Sequence, residues 1–557
     1  MHSNTCFADD NSETGGERSD PTNSDTDDGT TVRPETAIAT IQSPNTISPC
    51  NERDPAFVPP INTLPTEVLL LIFEYCHYLW RSTSIKKERE DSPAVWDRSV
   101  RSLMSLPCPE ALSHVCSMWR EIILSTPTIW VFLDLYTLCQ SSQTFIERSS
   151  AFIPRTQNQD LVLRVRLRHE EDGSPSAADS LKEFCSSTAP RLRSLLVDNH
   201  AANDTTLFTS LIQTALPKAT PGTLLNLFIK DYGARTNSSQ EDNTEGLAGW
   251  ELPTAELCGI SQEALDSIVR PIKSLRLSGQ FFPWTSPAYH GLVELHLLFI
   301  RPARGRRPFI QGHRLRDLLL ASPELRILHI NLNVTGEDGL LDLPPVPLNH
   351  LEELSLRGMS RGVYDVVLPL LAPGNKPLQF TYQTQQMENA PLYCPAVFSF
   401  LQRANVTSLY IIGRWSFGQQ LSIDELLTSS PTNLQTLGLE RLSILEFTPQ
   451  AEQTEKFSQL SHLYIRKCAI DVDVFKQLLE LLPVQVLKLH RPEFRGRLKG
   501  DDVEANREIA SMIPIVKRVR SSRDMELWDS WEVEYEDPPE PMHSPNSWRN
   551  RVWSWLG

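Results

Sequence analysis

A short pattern of apolar residues recurs along the chain and restricts the folds that the chain can adopt. An apolar residue is followed by two variable residues, a leucine, one variable residue and another apolar residue. Most copies lie between 24 and 33 residues apart. The clear copies are Ile272-Leu275-Leu277, Leu292-Leu295-Leu297, Leu325-Leu328-Ile330, Leu351-Leu354-Leu356, Val406-Leu409-Ile411, Leu434-Leu437-Leu439, Leu460-Leu463-Ile465 and Val484-Leu487-Leu489.

Eight copies at this period predict a leucine-rich-repeat solenoid of the α/β class, in which each unit supplies a short strand and a helical or irregular return. Weaker copies begin at Val162, Leu192 and Leu224. Three returns read as short helices that stop at proline, which cannot continue a helix: Leu318–Pro323, Glu425–Pro431 and Phe475–Pro483. We expect the solenoid to occupy residues 138–490, followed at 491–557 by a cap and an acidic tail rich in Trp and Pro.

Composition narrows the functional class. The chain has 557 residues and a formal net charge of −16, and about half of that charge lies in a Ser- and Thr-rich stretch at residues 1–56. That stretch has too few apolar residues to form a core, so we expect a disordered tail. The acidic balance argues against nucleic acid and anionic membrane as partners. No apolar run is long enough to span a bilayer.

The cysteines and the N-terminus indicate a compartment. Ten cysteines occur without a C-x-x-C pair, which argues against a disulfide framework or a zinc site. The first residues lack the basic and apolar regions of a signal peptide. We therefore expect an intracellular protein, in the cytoplasm or nucleus, without metal or cofactor.

Residues 57–137 predict a small all-α domain. One helix is indicated after Thr63, with Val68, Leu71 and Ile72 on one face, and another after Pro109. The charged stretch at residues 81–101 is expected to be an insertion loop between them.

This segment resembles an F-box. The residues that carry the resemblance are Leu64-Pro65, Glu67, Ile72-Phe73, Val115-Cys116, Trp119-Arg120 and Trp130. They follow the order of the family pattern directly upstream of the repeats. The spacing departs from that pattern, because roughly 40 residues separate Phe73 from Val115.

The resemblance implies a substrate adaptor that performs no bond chemistry. Its F-box would bind a Skp-family adaptor and thereby a cullin-type ubiquitin ligase, while the repeats hold an unknown protein substrate. The adaptor-binding residues carried over are Leu64, Pro65, Glu67, Ile72, Phe73, Val115 and Trp119. For Trp119 and Val115, a place in the core is the alternative. A second hypothesis is a protein-binding scaffold without a ligase role, in which residues 57–137 cap the repeats.

The repeat pattern also predicts a substrate surface. The ladder leucines should point into the core, and the residues between them toward a solvent-facing concave face. Interface-forming types occur there, and we take six as substrate-binding candidates: Arg276, His296, His329, Tyr410, Tyr464 and Lys488.

Three other patterns are weaker. Gly358-Met359-Ser360-Arg361-Gly362 matches a nucleophile elbow, but a repeat strand lacks the sheet that such an elbow needs, so a turn is favoured. The arginines at 301–307 are interpreted as a solvated loop rather than a phosphate or import patch. His296 and His329 could meet a metal, although an interface or structural role is preferred.

Overall fold

The structure of the 557-residue chain is a computed structural model. It describes residues 60–88, 108–136, 142–167, 175–199, 206–231, 252, 254–299, 308–336, 343–357, 361–384, 395–413, 431–444, 459–495 and 502–518. Contacts divide the chain into two units, Met1–Thr63 and Leu64–Gly557. In the first unit the described part is the 3-10 turn Pro60–Thr63. All elements below belong to the second.

The helices lie in the returns between strands, apart from the first three, which precede the sheet. In chain order they are α1 Thr66–Glu88, α2 Cys108–Ser113, α3 Ser117–Ser125, α4 Ser142–Phe152, α5 Pro175–Thr188, α6 Thr206–Ala215, α7 Gln262–Val269, α8 Gly312–Leu320, α9 Arg361–Leu370, α10 Pro395–Arg403, α11 Val472–Leu481 and α12 Asp502–Met512.

The strands are short, as repeat units require. In chain order they are β1 Phe132–Tyr136, β2 Leu161–Leu167, β3 Leu192–Asn199, β4 Asn226–Asp231, β5 Ser274–Ser278, β6 Glu294–Leu298, β7 Phe309–Gln311, β8 Ile327–Ile330, β9 Asn333–Thr335, β10 Val346–Leu348, β11 Glu353–Leu356, β12 Leu371–Pro373, β13 Leu378–Gln383, β14 Val406–Ile412, β15 Thr436–Glu440, β16 Ser443–Ile444, β17 His462–Arg466, β18 Ala469–Asp471, β19 Val486–His490, β20 Glu493–Arg495 and β21 Ile515–Arg518.

Fourteen of the strands in the described part of the chain form one long parallel sheet, the main sheet. Its order follows the sequence from β1 to β21, leaving out the short strands of three small parallel sheets, which are β7-β9, β10-β12 and β16-β18-β20. A long parallel sheet with one strand per apolar copy fits the predicted leucine-rich-repeat solenoid.

The ladder leucines build the core on one face of the main sheet. Leu275 is in register with Leu295, and Leu295 with Leu328. All three are at most 1% exposed and belong to one apolar cluster that follows the sheet from repeat to repeat. Burying each leucine contributes about 1.5–3 kcal/mol. The repeated pattern therefore supplies the main stabilising force.

The predicted helical returns are confirmed where the structure describes them. Helix α11 buries Phe475, Leu478 and Leu479 and ends two residues before Pro483. The side chain of Asp471 caps its first turn by accepting hydrogen bonds from the Asp473 and Val474 amides, at 3.0 and 3.1 Å. Helix α8 likewise ends before Pro323. Part of the third return, Glu425–Pro431, lies outside the described residues.

The main sheet extends past both expected ends of the repeat region. Strand β1 lies inside the segment expected to be a separate helical domain, and β21 lies beyond residue 490. Leu133 and Leu135 explain the first extension, because they alternate with the half-buried Phe132, Asp134 and Tyr136 and are buried beside the second strand. The repeat core therefore begins before the clear copies of the pattern.

The expected loop at 81–101 is wrong in its first part. Helix α1 continues to Glu88 and ends with Lys86, Lys87 and Glu88, residue types that favour helix. Residues 89–101 lie outside the described residues, as do residues 1–56 and most of 491–557.

Candidate functional site

The six substrate-binding candidates lie in one column on the face of the main sheet opposite the ladder leucines. We call this face the second face. Strand register connects each member of the column to the next without a break. From β1 to β21 the column reads Asp134, Arg164, Leu196, Phe228, Arg276, His296, His329, Ser355, Thr381, Tyr410, Gly438, Tyr464, Lys488 and Lys517.

The column is much less exposed than the sequence predicted. His296, His329 and Tyr410 are at most 1% exposed, and Arg276 and Tyr464 are also buried. Lys488 is half-buried. Neighbouring strands lie about 4.8 Å apart, so side chains as large as His, Arg and Tyr fill the space beside one another. The expectation of a solvent-facing column is therefore corrected for five of the six, while their role in binding stays a prediction.

A charged cluster occupies the middle of the column. The Arg276 guanidinium forms an ion pair with the Glu294 carboxylate, which also accepts a hydrogen bond from the Ser274 hydroxyl. The guanidinium carbon lies 4.9 Å from the centre of the Phe228 ring. Burial raises the pKa of Glu294, but Arg276 and His296 outweigh it and hold the pKa well below its usual value. Glu294 is therefore a fixed negative charge at neutral pH.

Two histidines continue this cluster on the next strands. The ring centres of His296 and His329 lie 4.0 Å apart. His296 Nε2 is 2.6 Å from a Glu294 oxygen, and His329 Nε2 is 2.8 Å from a Glu353 oxygen. Burial, then the charges of His329 and Arg276, lower the pKa of His296 to about 3, and burial also lowers the pKa of His329. Both rings are therefore neutral at pH 7 and act as polar packing groups.

An aromatic and cationic surface follows toward the C-terminal end of the column. The Lys488 ammonium lies 4.9 Å from the centre of the Tyr464 ring, within cation–π range. The rings of His462 and Tyr464 are stacked, with centres 6.4 Å apart. Burial raises the pKa of Tyr410 on the other side of Gly438. These residue types are enriched at protein interfaces.

Sequence reasoning missed a buried polar group at the ends of β3 and β4. The Asn199 amide donates to one Asp231 carboxylate oxygen at 2.8 Å, and Gln280 donates to the other at 3.2 Å. Gly279 packs directly against the Asp231 backbone. Its φ is +83°, and a Cβ atom at this position would lie 2.2 Å from the Asp231 carbonyl oxygen. A polar residue at a strand end was the available signal, but it is too common to be diagnostic.

The adaptor-binding candidates divide into exposed and packed groups. Leu64, Pro65, Glu67 and Val115 are exposed, and Val115 is 59% exposed, which rules out its alternative place in the core. The packed members are Phe73, which is fully buried, and Ile72 and Trp119, which are half-buried against the core.

The packed members hold the helices together. The ring centres of Phe73 on α1 and Trp119 on α3 lie 4.7 Å apart. Helices α1, α2 and α3 contact one another. The aromatic pair therefore fixes the arrangement that presents the exposed group.

The remaining sequence patterns concern a metal site, a nucleophile and a basic patch. Within the described ranges, no group of three or more His, Cys, Asp or Glu side chains is placed to hold a metal ion. Ser360 and the arginines at 301–307 lie outside those ranges. The helices that the structure does describe include none with the length and apolar content needed to cross a membrane.

The comparisons with known proteins find similarity among solved structures, and the similarity is low in the neighbour described here. Neither a protein-family model nor a curated protein matches the sequence. Among solved structures, the crystal structure of the mouse RP105/MD-1 complex matches with a TM-score of 0.32 and 14% identity. The match covers 70% of this chain, and the chain spans 64% of the length of that neighbour.

Proposed function

We propose that this protein is a substrate-recognition adaptor of a Skp/cullin-type ubiquitin ligase. Helices α1–α3 bind a Skp-family adaptor, and the repeats bind a protein substrate. The chain performs no bond chemistry in this proposal. It holds the substrate close to the ligase, so that a substrate lysine meets the activated ubiquitin at a high effective concentration.

The observation that carries the proposal is the apolar surface of the helical segment. Among the described residues, five of the ten large hydrophobic side chains that remain exposed lie between residues 64 and 124: Leu64, Leu71, Tyr75, Val115 and Leu124. Leu71 and Tyr75 lie one turn apart on the same face of α1. Exposed apolar groups concentrated in one segment indicate a surface that a partner covers.

Two of these side chains coincide with the F-box resemblance. Leu64 and Val115 are exposed members of the pattern, whereas Phe73 and Trp119 of the same pattern pack inside. The pattern thus contains both a framework and a surface. This division supports an adaptor-binding role for the exposed group and a structural role for the packed group.

The experiment is a binding measurement with the full chain and a purified Skp-family adaptor. We expect the wild type to bind, and the Leu64→Ala/Pro65→Ala/Val115→Ala variant to lose binding while keeping its thermal unfolding temperature. Leu257→Ala is the matched control, because Leu257 is 63% exposed in another part of the chain. Wild-type binding that the triple variant retains would contradict the assignment of these residues.

A second function, a protein-binding scaffold without a ligase role, is favoured by one observation. The segment that contains β1 shares the repeat core, because Phe73, Ile123 and Trp130 belong to the same apolar cluster as the ladder leucines. Repeat arrays need such a cap to cover their first unit. A folded wild-type chain that does not bind any Skp-family adaptor would favour this function.

A further inference from the structure

Three cationic residues occupy the same unusual backbone position in three adjacent repeats. Arg441, Lys467 and Arg491 each follow the last residue of a main-sheet strand, and we call them the basic row. Their φ angles are +56°, +51° and +49°. L-residues rarely adopt this left-handed conformation, and glycine or asparagine is its usual occupant.

Register places the three residues side by side. The strand ends before them, Glu440, Arg466 and His490, are paired across β15, β17 and β19. The Arg441 amide donates to the Arg466 carbonyl at 2.9 Å, and the Lys467 amide donates to the His490 carbonyl at 2.8 Å. At a strand spacing of about 4.8 Å, the basic row extends over about 10 Å.

The turn itself does not require a cation. Gly279 occupies the equivalent place after β5, also with a left-handed φ of +83°. A charged side chain is therefore an added feature of the three repeats that contain β15, β17 and β19. Backbone conformations that are unfavourable for the residue present are commonly retained where they serve a function.

Charges converge on the basic row. Glu440, which is buried, lies 3.2 Å from an Arg441 nitrogen and 3.6 Å from an Arg466 nitrogen. Burial, then repulsion from Arg441 and Arg466, lowers the pKa of Lys467; Glu440 opposes this shift in part, and Arg491 adds to it. The cations are therefore close enough to repel one another, and a bound anion would relieve that repulsion.

We propose that the basic row binds an anionic segment of a partner protein, with carboxylate or phosphate groups paired to Arg441, Lys467 and Arg491. Arginine suits both groups because its guanidinium can donate two parallel hydrogen bonds. The proposal deepens the proposed function, since it names the chemistry of the substrate segment that the repeats would take.

A peptide fits the row better than a nucleic acid does. The chain has a net charge of −16, which disfavours the long anionic backbone of DNA or RNA. The basic row also adjoins the aromatic part of the second face. Lys467 follows directly after Arg466, which lies two positions beyond Tyr464 on β17 and faces the same way. An extended peptide can place an anionic side chain on the row and a second side chain against the half-buried His462, whose ring stacks on Tyr464.

The test compares three labelled peptides of one sequence on the full chain, by fluorescence anisotropy at low salt. One carries four consecutive glutamates, one carries two phosphoserines, and one carries alanines at those positions. We expect binding of an anionic peptide and none of the alanine peptide. The tighter of the two anionic peptides identifies the source of the charge.

The decisive variant is Arg441→Gly/Lys467→Gly/Arg491→Gly, because glycine accepts the left-handed backbone and the fold should persist. We expect affinity for the preferred peptide to fall about tenfold or more. Lys218→Gln/Arg270→Gln/Lys273→Gln removes three exposed charges elsewhere and should leave affinity unchanged.

Three results would overturn the proposal. They are an equal loss in both triple variants, no binding of either anionic peptide, and tighter binding of a single-stranded oligonucleotide of equal charge. Adaptor binding through Leu64 and Val115 is measured separately, so failure of the basic row is distinguishable from failure of the ligase proposal.

Discussion

The Trp130 indole nitrogen donates a hydrogen bond to the Ile123 carbonyl at 2.8 Å, and both residues are fully buried. The bond joins the end of α3 to the residues that lead into β1. Arg155 adds a cation above the Trp130 ring, 4.4 Å from its centre. One side chain therefore connects the helical segment to the first strand of the main sheet.

Replacing Trp130 with Phe should destabilise this junction by about 2–4 kcal/mol, because it leaves the buried Ile123 carbonyl without its donor and leaves unfilled volume. The measurement is the urea midpoint followed by tryptophan fluorescence and circular dichroism. Trp284→Phe, at a half-buried position, should cost clearly less. Equal losses in the two variants would show that the hydrogen bond contributes little.

Removing one partner of the Arg276–Glu294 ion pair should be costly. Arg276→Met leaves a buried carboxylate without its main counter-charge, and we expect a loss of about 3–5 kcal/mol. Adding Glu294→Gln to Arg276→Met should recover part of that loss, because the uncompensated charge is gone. A double variant as unstable as the sum of the two single variants would contradict this electrostatic account.

The neutral histidine pair should make stability depend on pH. The pKa values of His296 and His329 are lowered in the folded chain, so the unfolded chain binds more protons below its ordinary histidine pKa of 6.5. The free energy of unfolding is therefore highest above pH 6.5 and should fall below it by about 1.4 kcal/mol per pH unit for each histidine that stays neutral.

Urea midpoints at pH 7.5, 6.5 and 5.5 test this, since Glu294 protonation matters only at lower pH. His296→Asn/His329→Asn should flatten the dependence, whereas His290→Asn, at an exposed position, should not. A wild-type midpoint that does not change across this range would refute the prediction.

Gly279 should tolerate alanine worse than Gly222 does. Both have a left-handed φ, at +83° and +91°, so both variants pay for backbone strain of about 1–2 kcal/mol. Only at Gly279 would the added Cβ atom meet another atom, the Asp231 carbonyl oxygen at 2.2 Å; at Gly222 nothing lies within 4 Å. The free energies of unfolding of Gly279→Ala and Gly222→Ala, measured by chemical denaturation, should differ by the cost of the steric clash. Equal losses of stability would mean that the backbone at Gly279 shifts to relieve the clash.

The sequence was sufficient to predict the strands of the eight clear copies, whose ladder positions hold Leu or Ile. It did not reveal β13, where Phe380 and Tyr382 take the ladder positions, because aromatic residues fall outside the aliphatic pattern. Nor did it reveal that β1 joins the sheet. One five-residue strand carries no evidence of a repeat of about 25 residues, which is visible only when several copies are compared.

The candidate site was predictable in position but not in exposure. Alternation along each strand places Arg276 and His296 on the second face, and that prediction is correct. Whether they reach solvent depends on the size of the neighbours on adjacent strands, which lie 20 or more residues away in sequence. The basic row was missed for a related reason: a single Arg or Lys after a strand is unremarkable until three repeats are superimposed.

The strands of the main sheet are ordered as in the chain from β1 to β21. Each of them therefore pairs only with the main-sheet strand before it and the one after it. Heat or denaturant can therefore melt such a chain inward from an end, one repeat after another, while distant repeats stay folded. The basic row follows β15, β17 and β19, near the C-terminal end of the main sheet, and the helical segment lies at the opposite end of the sheet. Loss of one surface by local melting need not release what the other surface holds.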